Sequence, residues 1–404
     1  MRNIDTPYPG AVTQADADAL ITARRHLHAH PELSFEESET CRFIVAQLDA
    51  LGLAAEVVAD TGVVAVIEGA EDGPTLAFRA DIDALPIHET SDVPYRSTAA
   101  GVMHACGHDV HTTIGLGVAA QIARRRDALH GRLKLIFQPA EEASPEDEPI
   151  GAERMAVEGV LENPSVDAIF AFHCMPTLDV GLIGYTNGPV WARSDLVEIT
   201  VHGVKTHAAY PHSGIDAVLV GSHVITALQS IVSRRVDARD ACVVSIGKMV
   251  AGESYNIIAD TAQLTGIVRT LSDEVSELAQ AEIQRIVEHT CAAFGARGEV
   301  RFTAGARLTA NDLGLERRTV ATLKEILGDD ALVPHAPQLG AEDFAAFSRR
   351  VPGCYLFLGV RNEARGITHM IHTSRFDVDE ACMPLAVGAM SEALLRISRS
   401  WTAP

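Results

Sequence analysis

Basic charge is what this chain has least of: 33 Lys and Arg stand against 54 Asp and Glu, a formal charge of -21 with histidine neutral. A surface of that sign repels phosphate backbones and anionic lipid, so neither nucleic acid nor a membrane is expected as a partner. The one basic run, Arg124-Arg125-Arg126, precedes Asp127 and falls where a helix should end, and cations complement the helix dipole there. Paired cysteines are also missing. The seven, Cys41, Cys106, Cys174, Cys242, Cys291, Cys354 and Cys382, are odd in number and form no C-x-x-C pair. That pattern argues against a disulfide framework and for a reducing compartment. The opening residues, Met1 to Pro7, hold no apolar h-region, and no uncharged apolar run reaches the length of a bilayer span. The expected location is the cytoplasm. Internal repeats and low-complexity linkers are absent as well.

What is present is a chain of 404 residues, 47% hydrophobic, long enough for two domains. Helical periodicity runs from about Asp16 to Leu51 with a break at Pro31. Short β-rich runs then alternate with helix-like stretches, among them Val63 to Ile67 and Leu76 to Arg79. Alternation of that kind predicts an α/β fold, a sheet covered by helices. Two apolar runs, Leu133 to Phe137 and Ala168 to Phe172, end directly in Gln138-Pro139-Ala140-Glu141-Glu142 and in His173-Cys174. The carboxyl ends of strands are where open α/β sheets build sites. Between Asp195 and Thr303 the order changes to β-α-β-β-α-β, a unit complete in itself. The middle of the chain therefore reads as a domain inserted into a discontinuous first one, which resumes with a strand at Cys354 to Leu358 and a closing helix near Cys382 to Ile397.

The densest chemistry lies in His104-Ala105-Cys106-Gly107-His108-Asp109-Val110-His111, with three histidines, a cysteine and an aspartate in eight positions. Thiolate and imidazole suit zinc and its neighbours, and carboxylates extend the range to manganese and cobalt. A polar loop enriched by chance is the competing reading, and this density weighs against it. Glu141-Glu142 can divide the labour of a metal site, one coordinating and one shuttling a proton; adjacent acids at a solvated helix start are the alternative. His173 and His372, taken singly, are more often structural than ligating. A Cys106 nucleophile served by His108 remains open as a cysteine amidase, although catalytic Cys and His partners are usually far apart in sequence.

Together the blocks match a known family. Arg25 to Leu33, Phe78 to Pro86, Met103 to Thr112, Gln138 to Glu142, Gly203 to His212, Gly340 to Phe344 and His372 to Phe376 span nearly the whole chain. The sequence resembles the M20 metallopeptidases and amidohydrolases, in the branch of hippurate hydrolases, N-acyl-amino-acid aminoacylases and auxin-conjugate hydrolases. The resemblance implies a catalytic domain with a mostly parallel sheet, in two parts at 1–190 and 305–404, and a ferredoxin-like lid and dimerisation domain at 191–304. It implies two divalent ions per subunit, Mn2+ or Zn2+ first and Co2+ or Ni2+ next, held by Cys106 between them and by His108, Glu142, His173 and His372. Glu141 becomes the general base and acid. His207 of the lid faces the scissile carbonyl, in relatives often from the partner of a homodimer, and Asn256 and Arg269 resemble the groups that hold the substrate carboxylate. His104, Asp109 and His111 then orient ligands or shape the loop.

The expected reaction is hydrolysis of an N-acyl-amino acid to a carboxylic acid and a free amino acid, with a dipeptidase or N-deacetylase of the same family as the alternative. A non-catalytic metal-binding protein is a third class, one that needs neither Glu141 nor a lid. Two departures stand out. The lid loop reads Gly203-Val204-Lys205-Thr206-His207 where relatives commonly have a second glycine, and Trp191-Ala192-Arg193 brings a bulky ring and a cation to the lid hinge.

Overall fold

The computed structural model describes residues 8–143 and 149–403. The N-terminal stretch 1–7, read above for its lack of an apolar run, lies outside the described residues. The chain forms two compact units. One comprises Met1–Gly188, Ala310–Ala336 and Ala346–Pro404; the other comprises Pro189–Thr309 and Pro337–Ala345. The segment Pro337–Ala345, which the sequence reading leaves within the second part of the catalytic domain, thus packs with the second unit.

The first unit is built on an eight-stranded sheet in the order Ala55–Val58, Gly62–Glu68, His130–Gln138, Glu71–Asp81, Ala168–Asp179, Gly353–Arg361, Ile183–Tyr185, Leu332–Pro334. Its four central strands, from His130–Gln138 to Gly353–Arg361, run parallel, and antiparallel neighbours flank them. The central strands are near-continuous apolar runs because helices cover both of their faces. Leu76, Phe78, Leu133, Leu135, Phe170, Leu356 and Leu358 are buried in one cluster with residues of the helices His108–Arg124, Leu313–Leu327 and Cys382–Arg399. The expected helical stretch before Leu51 divides into Gln14–Ala29 and Ser38–Ala50, and the break falls around Pro31. The basic triplet also takes its bland role: Arg124 ends its helix paired to Asp16, and Arg125 pairs with Glu392.

The second unit is a four-stranded antiparallel sheet in the order Cys242–Ala251, Thr261–Thr270, Arg193–His202, Arg297–Ala304, with the helices Ala217–Arg234 and Asp273–Ala293 packed on it. Burial alternates along the strands, with Val197, Ile199 and Val201 inward, as a sheet with one covered face requires. Among the described residues one helix, Ala217–Arg234, is long and apolar enough to cross a bilayer by length and composition, although Ser222, His223, Thr226, Gln229 and Ser230 interrupt its apolar run. Val220, Val224, Leu228 and Ile231 recur at three- and four-residue spacing and are buried in this unit's core.

Candidate functional site

The parallel strands set the floor of the site. Asp81 lies beside Gln138 and Arg79 beside Ala171, so Asp81, the turn after Gln138 and His173 come to one level at the sheet's carboxyl edge. The helix His108–Arg124 starts over them. Its N-cap, Gly107, has φ 92°, and a Cβ there would lie 2.8 Å from Cys174 Sγ. Only glycine accepts both the left-handed backbone and the close approach, and the turn delivers Cys106 on one side and His108 on the other.

The five residues implied as ligands are brought together. Cys106, His108 and His173 have potential ligand atoms within 4.8 Å of one another, and Cys106, Glu142 and His372 form a second such group, with Cys106 common to both. Cys106 Sγ sits 3.5 Å from His173 Nε2. Glu142 Oε1 sits 3.8 Å from His108 Nε2 and 3.3 Å from His372 Nε2. Glu141 joins His108 and Glu142 in a third group. The rings are oriented from behind: His108 Nδ1–H donates to Asp83 Oδ1 at 3.1 Å, and His173 Nδ1–H to the Cys174 carbonyl at 2.8 Å. Each ring thereby turns its Nε2 toward the site. His372 is placed by its backbone, at φ 60° with its N–H on the Ala105 carbonyl at 2.7 Å.

The electrostatics favour bound positive charge. Burial opposes an imidazolium at His108, yet Asp81 and Asp83 outweigh it and push the ring up to about 10. Burial, then the neighbouring His111, holds His173 well below the usual histidine range. Burial, followed by Glu142 and Glu141, pushes the Cys106 thiol well up. A thiol so disposed is a poor nucleophile at neutral pH, which weighs against the cysteine amidase. His108 Nε2 and Glu142 Oε1 are buried and have no hydrogen-bond partner among the described residues. Atoms left that way cost about 1–3 kcal/mol each. Sulfur, imidazole and carboxylate donors in two groups that share Cys106 suit divalent metal ions.

The rest of the dense segment faces elsewhere. His111 is used on both sides, Nδ1–H donating to Asp81 at 2.6 Å and Nε2 accepting the Cys174 N–H at 2.9 Å. Asp109 bonds Arg24 Nε and His28 Nδ1, both at 2.8 Å; these two, working against burial, hold its carboxyl far below the usual range. His104 has neither ring nitrogen partnered among the described residues, and burial pulls it down to about 4. His28, in the last turn of the helix Gln14–Ala29, is buried against Asp109 and Glu89. Asp81 and Asp83 were passed over as site groups, although their place at a strand's end was the signal that finds them. Asp83 ties the site together: its second oxygen accepts from Glu142 N–H at 3.0 Å and from Ser34 Oγ at 2.7 Å.

In the second unit, His207 and Asn256 are neighbours on a small two-stranded ribbon. Ile257 pairs with His207, and the Asn256 carbonyl accepts the Ala208 N–H at 2.9 Å. Ala209 N–H donates to His207 Nδ1 at 3.0 Å, so the neutral ring carries its proton on Nε2. Thr206, in place of a glycine, pairs with Ile258 and fits because Gly214 backs it; a Cβ on Gly214 would meet Thr206 Cγ2 at 2.5 Å. The Trp191 ring is buried over Gly340, where a Cβ would come within 2.7 Å, and Arg193 is occupied by Asp195 and Asp273. Arg269 is not brought to His207. Its strand begins at Thr261 opposite His202, and Arg269 lies eight residues on, about 27 Å along the strand, donating to the Leu339 carbonyl at 3.4 Å.

Comparison with known proteins agrees with this arrangement. A sequence profile described as Peptidase family M20/M25/M40 matches residues 77–396. The chain is 39% identical to the N-acetylcysteine deacetylase of Bacillus subtilis over 91% of its own length and 93% of that protein's. It is 38% identical to thermostable carboxypeptidase 2 of Saccharolobus solfataricus, covering 95% and 96% of the two chains. Among solved structures, the Bacillus subtilis YXEP protein, described as a dinuclear metal binding peptidase, superposes with a TM-score of 0.85 at 34% identity, over 96% of this chain and 100% of that one.

Proposed function

The chain belongs to peptidase family M20/M25/M40 and is an amide-hydrolysing enzyme, and from that premise we propose that its substrates are N-acyl-amino acids, cleaved to a carboxylic acid and a free amino acid. The similarity to a deacetylase of N-acetylcysteine supports this choice of substrate class. The observation that carries it is the buried pair of His108 Nε2 and Glu142 Oε1, without hydrogen-bond partners among the described residues and set among Cys106, His173 and His372.

Cys106, His108, Glu142, His173 and His372 would hold two divalent ions, with Mn2+ or Zn2+ the metals to test first. When bound, the ions polarise the amide carbonyl as Lewis acids and lower the pKa of water. Glu141 takes a proton from the attacking water on a carboxylate oxygen and hands it to the departing amine. His207, with its proton on Nε2, donates to the carbonyl oxygen as negative charge develops there. Asn256 and Arg269 hold the free carboxylate of the amino acid. Because Arg269 stands about 27 Å along the strand from the His207 end of the lid sheet, the two ends serve one substrate only if two copies of the lid unit contribute. That separation supports a homodimer.

Replacement Glu141→Gln tests the assignment. Turnover should fall on the order of 10²-fold or more with metal content unchanged, since only proton transfer is removed; normal turnover would refute it.

A further inference from the structure

Glu37 lies outside every motif considered so far, yet it is fully buried and sits where three strained pieces of backbone converge. Its Oε1 accepts the Ala140 N–H at 2.9 Å, and its Oε2 accepts the Thr61 hydroxyl at 2.6 Å. Ala140 has φ 48°, and it immediately precedes Glu141 and Glu142. Thr61 follows Ala59 and Asp60, at φ 48° and 67°, and Phe35, two residues before Glu37, has φ 61°. None of these four is a glycine, so each holds a left-handed conformation that costs energy unless its surroundings impose it.

We propose that Glu37 is a positioning residue for the catalytic turn, imposing the left-handed backbone at Ala140 from which Glu141 and Glu142 project. The turn is held at three successive points. The Ala140 N–H is fixed by Glu37, the Ala140 carbonyl accepts the Gly151 N–H at 3.0 Å, and the Glu142 N–H is fixed by Asp83. Of these anchors, Glu37 alone is a side chain acting on the strained residue itself. Without it the Ala140 N–H is buried with no acceptor, and the left-handed conformation loses the bond that compensates it. Burial, offset in part by the Thr61 hydrogen bond, raises the Glu37 carboxyl to about 7. A buried acid retained at that cost is consistent with a directed hydrogen bond rather than packing.

The inference rests on Glu141 and Glu142 acting as proposed above. Two substitutions at Glu37 separate positioning from bulk. Glu37→Leu keeps the volume and removes both acceptors. Glu37→Gln keeps one carbonyl for Ala140, while its amide donates to Thr61, whose hydroxyl can turn to accept.

Each variant is purified with Mn2+ loaded, and three quantities are read: kcat and KM on an N-acetyl-amino acid, metal content, and hydrogen exchange of the peptide covering 138–143. Glu37→Leu should lower kcat on the order of 10-fold or more, with KM within about twofold of wild type, as loss of a group that orients a site residue does. The Ala140 peptide should exchange faster in the same variant, a change that does not depend on turnover. Glu37→Gln should recover most of kcat and of the protection. Wild-type kcat and exchange in Glu37→Leu would overturn the inference, as would Glu37→Gln being as impaired as Glu37→Leu.

Should Glu37→Leu fail to fold, Thr61→Val removes the hydroxyl that orients Glu37 and should give a smaller loss of kcat with faster exchange; no change in either would overturn the inference. Glu141→Gln in the same assay keeps the two ideas apart. If it is active, the catalytic reading fails. If it is inactive while Glu37→Leu is fully active, the positioning role alone fails.

Discussion

His108 and His207 both serve the proposed reaction, and the protein treats them in opposite ways. His108 is wholly buried, with Nδ1 bonded to Asp83, a rigid glycine turn before it and a helix after it. His207 is exposed on a two-residue strand, and its ring is held by one backbone N–H. A metal ligand has to keep its lone pair in place before any substrate arrives, and at His108 a carboxylate behind the ring and burial around it do so. A donor to the substrate carbonyl acts only once substrate is bound, so a solvated ring costs nothing beforehand. The preorganised histidine lies in the first unit and the exposed one in the second.

The sharpest way to break this contrast is Cys106→Ala, or His372→Ala. Each should lose bound metal, measured by elemental analysis of the purified protein, with turnover falling to background. Full occupancy in both would show that the Cys106 cluster is not the ligand set. His207→Ala should lower kcat on the order of 10²-fold, the loss usual for one oxyanion donor, while metal content and melting temperature stay at wild-type values. A loss of metal would contradict the division of labour between the units.

A third test concerns stability. Arg24→Met leaves Asp109 buried and unpaired by its guanidinium, and unfolding free energy in denaturant should drop by about 3–5 kcal/mol. The pH dependence follows from the direction of the shift. The folded pKa of Asp109 is depressed, so its contribution is present above the unfolded value of about 3.9 and is lost as the pH falls below it. Wild type should therefore lose more stability on acidification than Arg24→Met. The smallest effect is expected at Arg193: Arg193→Ala should lower the melting temperature by a few degrees and leave KM unchanged, since both of its partners are aspartates of the same unit. A large rise in KM would give Arg193 a substrate role.

Much of the fold was legible because its signals are local. The runs Leu133 to Phe137 and Ala168 to Phe172 became central strands, and the β-α-β-β-α-β order between Asp195 and Thr303 became the antiparallel unit. The cluster around Cys106 stood out through sheer density. His173 and His372 did not, since a lone histidine carries no mark of what folding brings beside it, and only the resemblance raised them. Glu37, Arg24 and His28 were invisible for the same reason: their partners, Ala140 and Asp109, lie 103, 85 and 81 residues away. The ribbon holding His207 to Asn256 was missed because its strands are two residues long, too short for any period to show. The placing of Arg269 far from His207 follows from strand register, which composition does not reveal.

Hydrolysis of N-acyl-amino acids is proposed to be driven by two ions in the Cys106 cluster. This is tested most directly by stripping the purified protein with a chelator, restoring Mn2+ or Zn2+ in measured equivalents, and following release of free amino acid from N-acetyl-amino acids. Activity that vanishes on stripping and returns as two equivalents per chain are bound is the predicted result. Activity that survives complete removal of metal would contradict it.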